Sequence, residues 1–380
     1  MKKLYLLPII ISICTSCLFD DKTKTNEINL NQLKNRIDSL FNSKIAKNEP
    51  GAAIAISYNN EVLIKKGFGL RDLKNKKRIT PNTNMRIASV SKQFTALCIL
   101  DLIDKKKLKL TDSLSKLWDY PVFKNITVQR LLNHTSGIAN FEASFEESWD
   151  RSRIVENKDV LNWLIKNNPK PLFITGSSWQ YSNTAYLVLA NLVQKVSGQE
   201  FSAYAKENIF EKVGMKTTNF YCLANPIHIN ERAYCYEKDS LANWNKVDGY
   251  FMNGIMGDGA VYTNLNDYLK YDQVLRKKTL LSETTQKLIF QPSSIVRKDW
   301  PESNPFVNRY PFFKNKEVGY AMGWFVTDNI SMHSGGWHGT RTTVIRHLDK
   351  PLTIVLFMNS NANVRELAIE TYEMVEEYLK

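Results

Sequence analysis

The chain has 380 residues, of which 43% are hydrophobic and 23% are charged, and its formal net charge is +13. This length and composition indicate a globular protein of enzyme size, with one large domain or two lobes. The basic residues are scattered and form no stripe interleaved with aromatic residues, so no nucleic-acid partner is predicted. A solvated lysine-rich surface accounts for the charge, and attraction to an anionic polymer of the cell envelope stays open.

Residues 1–17 form a candidate export signal. A pair of lysines precedes an apolar run at 4–13 that is too short to span a bilayer. Small residues then precede Cys17, an order that resembles a bacterial lipoprotein signal, in which Cys17 becomes the lipidated first residue. A plain secretory signal is the alternative. Either signal predicts export, and the lipoprotein signal predicts membrane contact through a lipid anchor, with residues 18–30 as a polar tether.

The N-terminal elements of the folded part are predicted from hydrophobic periodicity. Apolar residues at helical spacing indicate an amphipathic helix over 31–47. Strands at 52–58 and 61–68 follow and form a hairpin. A second helix begins near Ser89, where another apolar stripe starts, and Cys98 lies in that stripe as a predicted buried free thiol.

The middle of the chain, residues 108–239, is predicted to be mainly helical with long loops. Its clearest helices cover 160–165 and 185–196. Cys222 and Cys235 lie in its later part, where a disulfide and two free thiols are equally compatible with the sequence.

The last third of the chain returns to strands. A glycine-rich passage at 253–259, a helix near 266–276 and an irregular segment at 291–317 come first. Strands are then predicted at 322–326, 331–334, 341–347 and 353–358, and a final helix at 364–379.

The predicted fold class is α/β (α+β), with an antiparallel sheet from both chain ends, flanking helices and a mainly helical inserted lobe. One domain at 31–380 would contain an α/β lobe at about 31–107 and 240–380 and a helical lobe at about 108–239.

Ser89 and Lys92 are the strongest candidates for a catalytic pair. Residues i and i+3 share a helix face, so the Lys92 ammonium can reach the Ser89 hydroxyl. Serine is a poor nucleophile until a neighbouring base activates it, and a helix N-terminus favours a developing oxyanion. Ser113 and Lys116 repeat this spacing in a connector. The pattern therefore identifies a site only if partners elsewhere complete it.

Tyr181 and Asn183 are candidate partners at the entrance of the 185–196 helix. A loop at a helix entrance can present a phenol and an amide to a cleft. A nearby lysine is expected to lower the pKa of the Tyr181 phenol, which could then relay a proton between Ser89 and a leaving group. Asn183 could donate to a substrate carbonyl. A tyrosine that only packs its ring is the structural alternative.

His333, Ser334, Gly335 and Gly336 lie on a predicted strand near the C-terminus. Glycines there let a substrate backbone lie against the strand edge, and one N–H can complete an oxyanion hole. His333 could bind a substrate carboxylate or assist proton transfer, and a structural histidine is the alternative.

Other catalytic motifs are missing from the sequence. His134 is expected in a turn, bonded to backbone. The chain has no Gly-x-Ser-x-Gly elbow and no His-Glu-x-x-His helix, and no residue spacing indicates a metal site or a cofactor.

Several segments occur in the order found in the serine β-lactamase and penicillin-binding protein superfamily, and the chain resembles its class C-like branch. That branch includes class C β-lactamases, D-Ala-D-Ala carboxypeptidases and esterases with the β-lactamase fold. The matching segments are IASVSKQFT at 87–95, LLNHTSG at 131–137, WQYSN at 179–183, VGMKTT at 213–218 and HSGG at 333–336.

The resemblance implies a role for each matched residue. Ser89 would be the acylated nucleophile, and Lys92 and Tyr181 would share its deprotonation and the later proton delivery. Asn183 would orient the substrate amide, and the N–H groups of Ser89 and Gly336 would form the oxyanion hole.

Two positions depart from the class C pattern. His333 stands where class C β-lactamases have lysine, which is similar to certain D,D-carboxypeptidases and esterases, so efficient β-lactam turnover is not predicted. Thr175 precedes Gly176 where the branch usually has proline, a change expected to affect loop stiffness.

The predicted function is an exported serine hydrolase acting on amide or ester bonds through a Ser89 acyl-enzyme, and the resemblance makes it most like a D-Ala-D-Ala carboxypeptidase or class C β-lactamase-related enzyme. Its partners would be small-molecule or peptide substrates, such as a peptidoglycan-type peptide, a β-lactam or an ester. An esterase is one alternative, and a non-catalytic envelope lipoprotein that binds penicillin or peptidoglycan is another.

Overall fold

The structure, a computed structural model, describes residues 16–296 and 310–380, with side chains from residue 29 onward. The predicted signal peptide lies outside the described residues except for the backbone of its last two positions. Residues 297–309 of the segment predicted to be irregular also lie outside them. Among the described residues, no helix combines the length and the apolar character needed to cross a membrane.

The strands come mainly from the two ends of the chain. Those described are β1 Ala52–Tyr58, β2 Glu61–Phe68, β3 Leu70–Asp72, β4 Lys77–Arg78, β5 Met85–Arg86, β6 Asn219–Phe220, β7 Tyr236–Lys238, β8 Trp244–Lys246, β9 Val261–Thr263, β10 Ser294–Ile295, β11 Gly319–Ala321, β12 Trp324–Val326, β13 Ile330–Trp337, β14 Thr340–His347 and β15 Leu352–Met358. Within the described chain, the main antiparallel sheet has the order β10-β11-β12-β13-β14-β15-β1-β2. A smaller sheet joins β5, β9 and β6.

Helices fill the middle of the chain and cover the sheet. Those described are α1 Ser16–Lys44, α2 Lys92–Asp104, α3 Val128–Leu132, α4 Glu142–Ser148, α5 Asn157–Asn167, α6 Asn183–Ser197, α7 Phe201–Ala205, α8 Glu211–Val213, α9 Leu265–Lys277, α10 Glu283–Lys287 and α11 Val364–Tyr378. Short 3-10 helices cover Ala88–Ser91, Leu114–Lys116, Pro121–Phe123, Leu288–Phe290 and Pro311–Phe313, and Lys206–Phe210 is a π-helix.

The N-terminal strand β1 lies inside a sheet made otherwise largely of C-terminal strands. It pairs with β15 on one side, with Ile54 opposite Leu356, and with β2 on the other. β1 and β15 are buried along nearly their whole length, as their unbroken apolar runs require. Helices α1 and α11 pack together and against the sheet, and α9 packs against β1. Burial of the central strands therefore joins the two chain ends.

The predicted α/β fold with a sheet from both chain ends is confirmed. The differences lie at element boundaries: α1 begins at Ser16 rather than near residue 31, and β13 continues to Trp337 rather than ending at 334. The strand predicted at 322–326 starts only at Trp324, because the two preceding residues turn with positive φ between β11 and β12.

The cysteines of the folded part are not cross-linked. Cys98 is a buried free thiol, as predicted. Cys222 and Cys235 are also free: the Cys222 thiol donates to the carbonyl of Gly254 at 3.2 Å, and the Cys235 sulfur lies 3.1 Å from Thr340 Oγ1. The alternative of two free thiols therefore holds in this structure.

Candidate active site

Ser89 lies in a tight turn between strand β5 and helix α2. The turn is the 3-10 helix Ala88–Ser91, which runs directly into α2. Ala88 has φ of 45°, a left-handed conformation that non-glycine residues rarely adopt. The Ser91 hydroxyl anchors the turn by accepting from the N–H of Val261 at 3.0 Å. Backbone strain of this kind persists only where surrounding contacts enforce it, and it is frequent at functional sites.

Lys92 is fully buried beside this serine. Its Nζ donates to Ser89 Oγ at 3.3 Å, to Asn183 Oδ1 at 2.8 Å and to the backbone carbonyl of Asp258 at 2.7 Å. An ammonium has three hydrogens to donate, so these acceptors satisfy all of them. The predicted contact between Lys92 and Ser89 is therefore present, and the other two acceptors hold the amine in place.

Burial lowers the pKa of Lys92 to about 8. Loss of water disfavours the charged form of a lysine, and this effect is larger than the opposing attraction of the Asp258 and Glu142 carboxylates. A lysine with an ordinary pKa would remain an ammonium at neutral pH. A pKa near 8 leaves a useful neutral fraction that can act as a base.

Tyr181 lies over the same amine. Lys92 Nζ is 4.8 Å from the centroid of its ring, and its hydroxyl is sealed from solvent. Burial raises the pKa of Tyr181 well above its usual value, and the nearby Ser89 hydroxyl offsets only part of the rise. The Tyr181 hydroxyl makes no hydrogen bond of standard geometry with the described residues. The expectation of a lowered phenol pKa is therefore wrong, because desolvation is the largest cause and the carboxylates of Asp258 and Glu142 add to the rise.

Asn183 begins helix α6, whose N-cap Ser182 accepts from the N–H of Ala185 at 3.1 Å. Lys92 can only donate, so Asn183 turns its Oδ1 toward it. Its Nδ2 donates to Glu142 Oε1 at 2.9 Å. These two partners fix the orientation of the amide and leave one Nδ2 hydrogen for a substrate carbonyl.

Glu142, which the sequence analysis missed, accepts from Asn183 and so ends the hydrogen-bonded series Lys92–Asn183–Glu142. Burial raises the pKa of its carboxyl, and its second oxygen, Oε2, is sealed from solvent without a hydrogen bond among the described residues. Glu142 opens α4 and has no spacing relation to Ser89 or Asn183 that a sequence motif would show.

His333 is buried on β13 and is neutral. Its Nδ1 lies 2.6 Å from the Ser334 carbonyl and therefore carries the proton, while Nε2 lies 3.1 Å from the Tyr320 hydroxyl. Burial, with a smaller contribution from the Lys92 charge, lowers the pKa of His333 to about 3. Its proposed catalytic role stays a prediction, and these contacts favour a positioning role over proton transfer.

Strand β13 touches the Ser89 turn through Gly335. A Cβ at Gly335 would lie 2.5 Å from the Ile87 carbonyl oxygen and 3.0 Å from the Ser89 nitrogen, so a side chain would push strand and turn apart. Thr342 on β14 donates to the same Ile87 carbonyl at 2.9 Å. The glycine therefore sets the spacing between Ser89 and the strand.

A pocket of about 90 Å³ opens beside Ser89. Ser89, Asn183 and Gly336 line it, so the predicted oxyanion-hole residues and the amide meet at one cavity. Arg86 and Asp258 also line it, and both were missed. The glycine-rich passage around Asp258 was noticed in the sequence, but its acidic residue was not assigned a role.

Two other sequence candidates take structural roles. Ser113 precedes a 3-10 helix without a side-chain capping bond and shares a hydrogen bond with Ser115 Oγ at 2.8 Å, while Lys116 is exposed to solvent. His134 has φ of 63° and accepts at Nδ1 from the Ser182 N–H at 3.1 Å, in the predicted turn. This turn holds the loop that carries Tyr181.

The fold and the comparisons with known proteins define a serine hydrolase with the β-lactamase fold. The chain belongs to the Beta-lactamase family, whose model matches residues 37–378. A penicillin-binding protein of Bacillus subtilis is 28% identical over 342 residues, which cover 86% of this chain and 72% of that protein.

Solved structures agree on the fold. The octameric penicillin-binding protein homologue from Pyrococcus abyssi superposes with a TM-score of 0.76 at 22% identity, covering 90% of this chain and 77% of that one. The D-amino acid amidase from Ochrobactrum anthropi SV3, complexed with L-phenylalanine amide, gives 0.73 at 20% identity, covering 92% and 100%.

The pKa of Lys92 predicts the pH dependence of the reaction. If neutral Lys92 is the base, kcat/KM should rise with pH as the amine loses its proton near pH 8. In Asp258→Asn the rise should move to lower pH, because the Asp258 charge raises the pKa of Lys92. Initial rates from pH 5 to 10 measure it. The exposed Asp328→Asn is the control, and an unmoved or upward-shifted limb in Asp258→Asn contradicts the prediction.

Proposed function

We propose that the chain is an exported serine hydrolase that forms an acyl-enzyme at Ser89 on amide or ester substrates, most like a D-Ala-D-Ala carboxypeptidase. The observation that carries this proposal is the buried Lys92 amine, with a pKa of about 8, donating to Ser89 Oγ at 3.3 Å. A serine beside an amine that titrates near neutral pH has the base it needs to become a nucleophile.

In the first step, neutral Lys92 accepts the hydroxyl proton of Ser89 while Oγ attacks the substrate carbonyl carbon. The N–H groups of Ser89 and Gly336 stabilise the negative charge on the carbonyl oxygen. Asn183 donates its remaining Nδ2 hydrogen to a neighbouring substrate carbonyl. Collapse of this intermediate breaks the bond to the leaving group and leaves the acyl-Ser89 ester.

Tyr181 is assigned to proton delivery rather than to deprotonation of Ser89. Its raised pKa keeps the phenol protonated at neutral pH, so it can donate to a departing amine or alkoxide and recover the proton from Lys92. Lys92 is thereby restored as the base. Water, activated by the same groups, then attacks the acyl carbon and releases Ser89.

One observation favours an esterase as the second candidate. The position that carries lysine in class C β-lactamases holds neutral His333 here. A neutral group attracts a substrate carboxylate less than an ammonium does. An uncharged ester should therefore lose less, relative to a carboxylate-bearing substrate, than it would beside a lysine.

Of the two serines in Ser-x-x-Lys motifs, Ser89 and Ser113, only Ser89 should be labelled covalently. A fluorophosphonate or a fluorescent β-lactam should label the wild type and Ser113→Ala, with the expected adduct by intact mass. Ser89→Ala should show less than about one hundredth of that labelling, because it lacks the nucleophile. Equal labelling of Ser89→Ala and the wild type would contradict the assignment of Ser89 as the nucleophile. Stable labelling with no turnover of any substrate would support the non-catalytic alternative.

A side-by-side panel ranks the substrate classes. A D-Ala-D-Ala peptide, 4-nitrophenyl esters and nitrocefin are compared by kcat/KM under one buffer condition. The peptide should be the best substrate, as for the D-Ala-D-Ala carboxypeptidases that the chain resembles, and nitrocefin the poorest, because His333 replaces the lysine of class C β-lactamases. Esters exceeding the peptide by more than about tenfold would assign the esterase instead.

Export through a lipoprotein signal also belongs to this proposal, supported by the small residues before Cys17. In a bacterial host fed an alkyne fatty acid, the wild type and Cys14→Ala should be labelled and Cys17→Ala should not. In-gel fluorescence after alkyne coupling reports the lipid. Labelling that survives Cys17→Ala would contradict the anchor, and export without any label would indicate the plain secretory signal.

A further inference from the structure

Arg86 is a buried cation at the wall of the nucleophile's pocket. It ends strand β5, pairs with Tyr262 on β9, and is only 6% exposed. Its Nη1 donates to Asn253 Oδ1 at 2.7 Å, and its guanidinium lies 5.7 Å from the centroid of the Trp337 ring. Trp337 donates to the same Asn253 oxygen at 2.7 Å. These contacts hold the guanidinium in a single orientation beside the cavity.

This guanidinium has no carboxylate partner among the described residues. Its Nε is sealed from solvent without a hydrogen bond. Asp248 lies close enough to act on the same Cys235 thiol, but its carboxylate is bound to Arg232 at 2.7 Å and to the Cys235 N–H at 2.9 Å. A buried charge without a counter-ion is costly, and an anion that entered the pocket would remove part of that cost.

Under the proposed mechanism, this pocket receives the acyl side of the scissile bond. Its lining includes Ser89, Asn183 and Gly336, whereas the proton-delivering Tyr181 is not part of it. The leaving group must meet the proton donor, so the portion of substrate that enters this pocket is the portion that stays attached to Ser89. Asp258 lines the same pocket but forms no ion pair with Arg86 within the described part of the chain.

We propose that Arg86 is a specificity residue that binds a carboxylate carried on the acyl portion of the substrate, a short distance from the scissile carbonyl. This inference rests on the proposed acyl-enzyme function and names its substrate class. The small volume of the pocket favours a short acidic branch of the acyl portion, for which a succinyl group is the simplest probe, over a long or aromatic branch. An arginine in a fixed orientation can meet a carboxylate with charge-assisted hydrogen bonds.

Two esters of equal chain length separate this role from a scaffold role. 4-Nitrophenyl succinate carries the acyl carboxylate and 4-nitrophenyl butyrate lacks it, and nitrophenol release gives kcat/KM after subtraction of the uncatalysed rate. The wild type should prefer the succinate. Arg86→Gln should reduce kcat/KM for the succinate on the order of 50-fold and change the butyrate value less than about threefold, as expected for loss of a buried charge partner.

Two further variants sharpen the test. Arg86→Lys keeps the charge without the planar fork and should recover part of the succinate preference. Arg365→Gln removes a positive charge from the neighbouring groove beyond Gly336 and should leave the ratio unchanged. The melting temperature of each variant is measured as well. A folding defect would lower the melting temperature and reduce kcat/KM for both esters.

The outcomes distinguish this inference from the proposed function. An equal loss toward both esters in Arg86→Gln, or a wild type that does not prefer the succinate, overturns the Arg86 assignment and leaves Ser89 chemistry standing. If the wild type releases nitrophenol from neither ester, the Arg86 assignment is contradicted, and turnover of the D-Ala-D-Ala peptide decides separately whether the proposed Ser89 chemistry stands. A selective loss toward the succinate supports both.

Discussion

The site depends on one buried ammonium. Lys92 is removed from water and is satisfied by three acceptors that come from separate parts of the chain: the turn of Ser89, the start of helix α6 at Asn183, and the backbone of Asp258. A buried charge requires such partners, so each acceptor is held where the amine needs it. The same burial gives Lys92 its low pKa. Burial of Lys92 therefore accounts both for the contacts that join these parts of the chain and for the lowered pKa of the amine.

The second constraint is the close contact between β13 and the Ser89 turn. Ala88 adopts a left-handed φ and Gly335 has no Cβ, so the strand approaches the turn to a distance that a side chain would prevent. Thr342 fixes the Ile87 carbonyl from the adjacent strand. Because β14 also pairs with β15, which pairs with β1, the geometry beside the nucleophile depends on the sheet that joins both chain ends.

The sequence predicted the parts of this arrangement that depend on local pattern. Apolar runs indicated β1 and β15, and the order of the motifs assigned Ser89, Lys92, Asn183 and Gly336 to one site. The sequence did not reveal the raised pKa of Tyr181, because that rise comes mainly from burial of the phenol. It also missed Glu142 and Arg86, since neither has a characteristic spacing and each gains its role from three-dimensional neighbours.

The distribution of charge around Ser89 connects these findings with substrate choice. On β13, neutral His333 occupies the position at which class C β-lactamases have a lysine. It lies between the Ser334 carbonyl and the Tyr320 hydroxyl. Arg86, at the end of β5 and beside the Trp337 ring, lines the pocket without a carboxylate partner among the described residues. Electrostatic attraction for a substrate carboxylate is thus weaker at His333 than at Arg86. If Tyr181 faces the leaving group, as proposed, this difference favours recognition of the acyl portion that remains on Ser89.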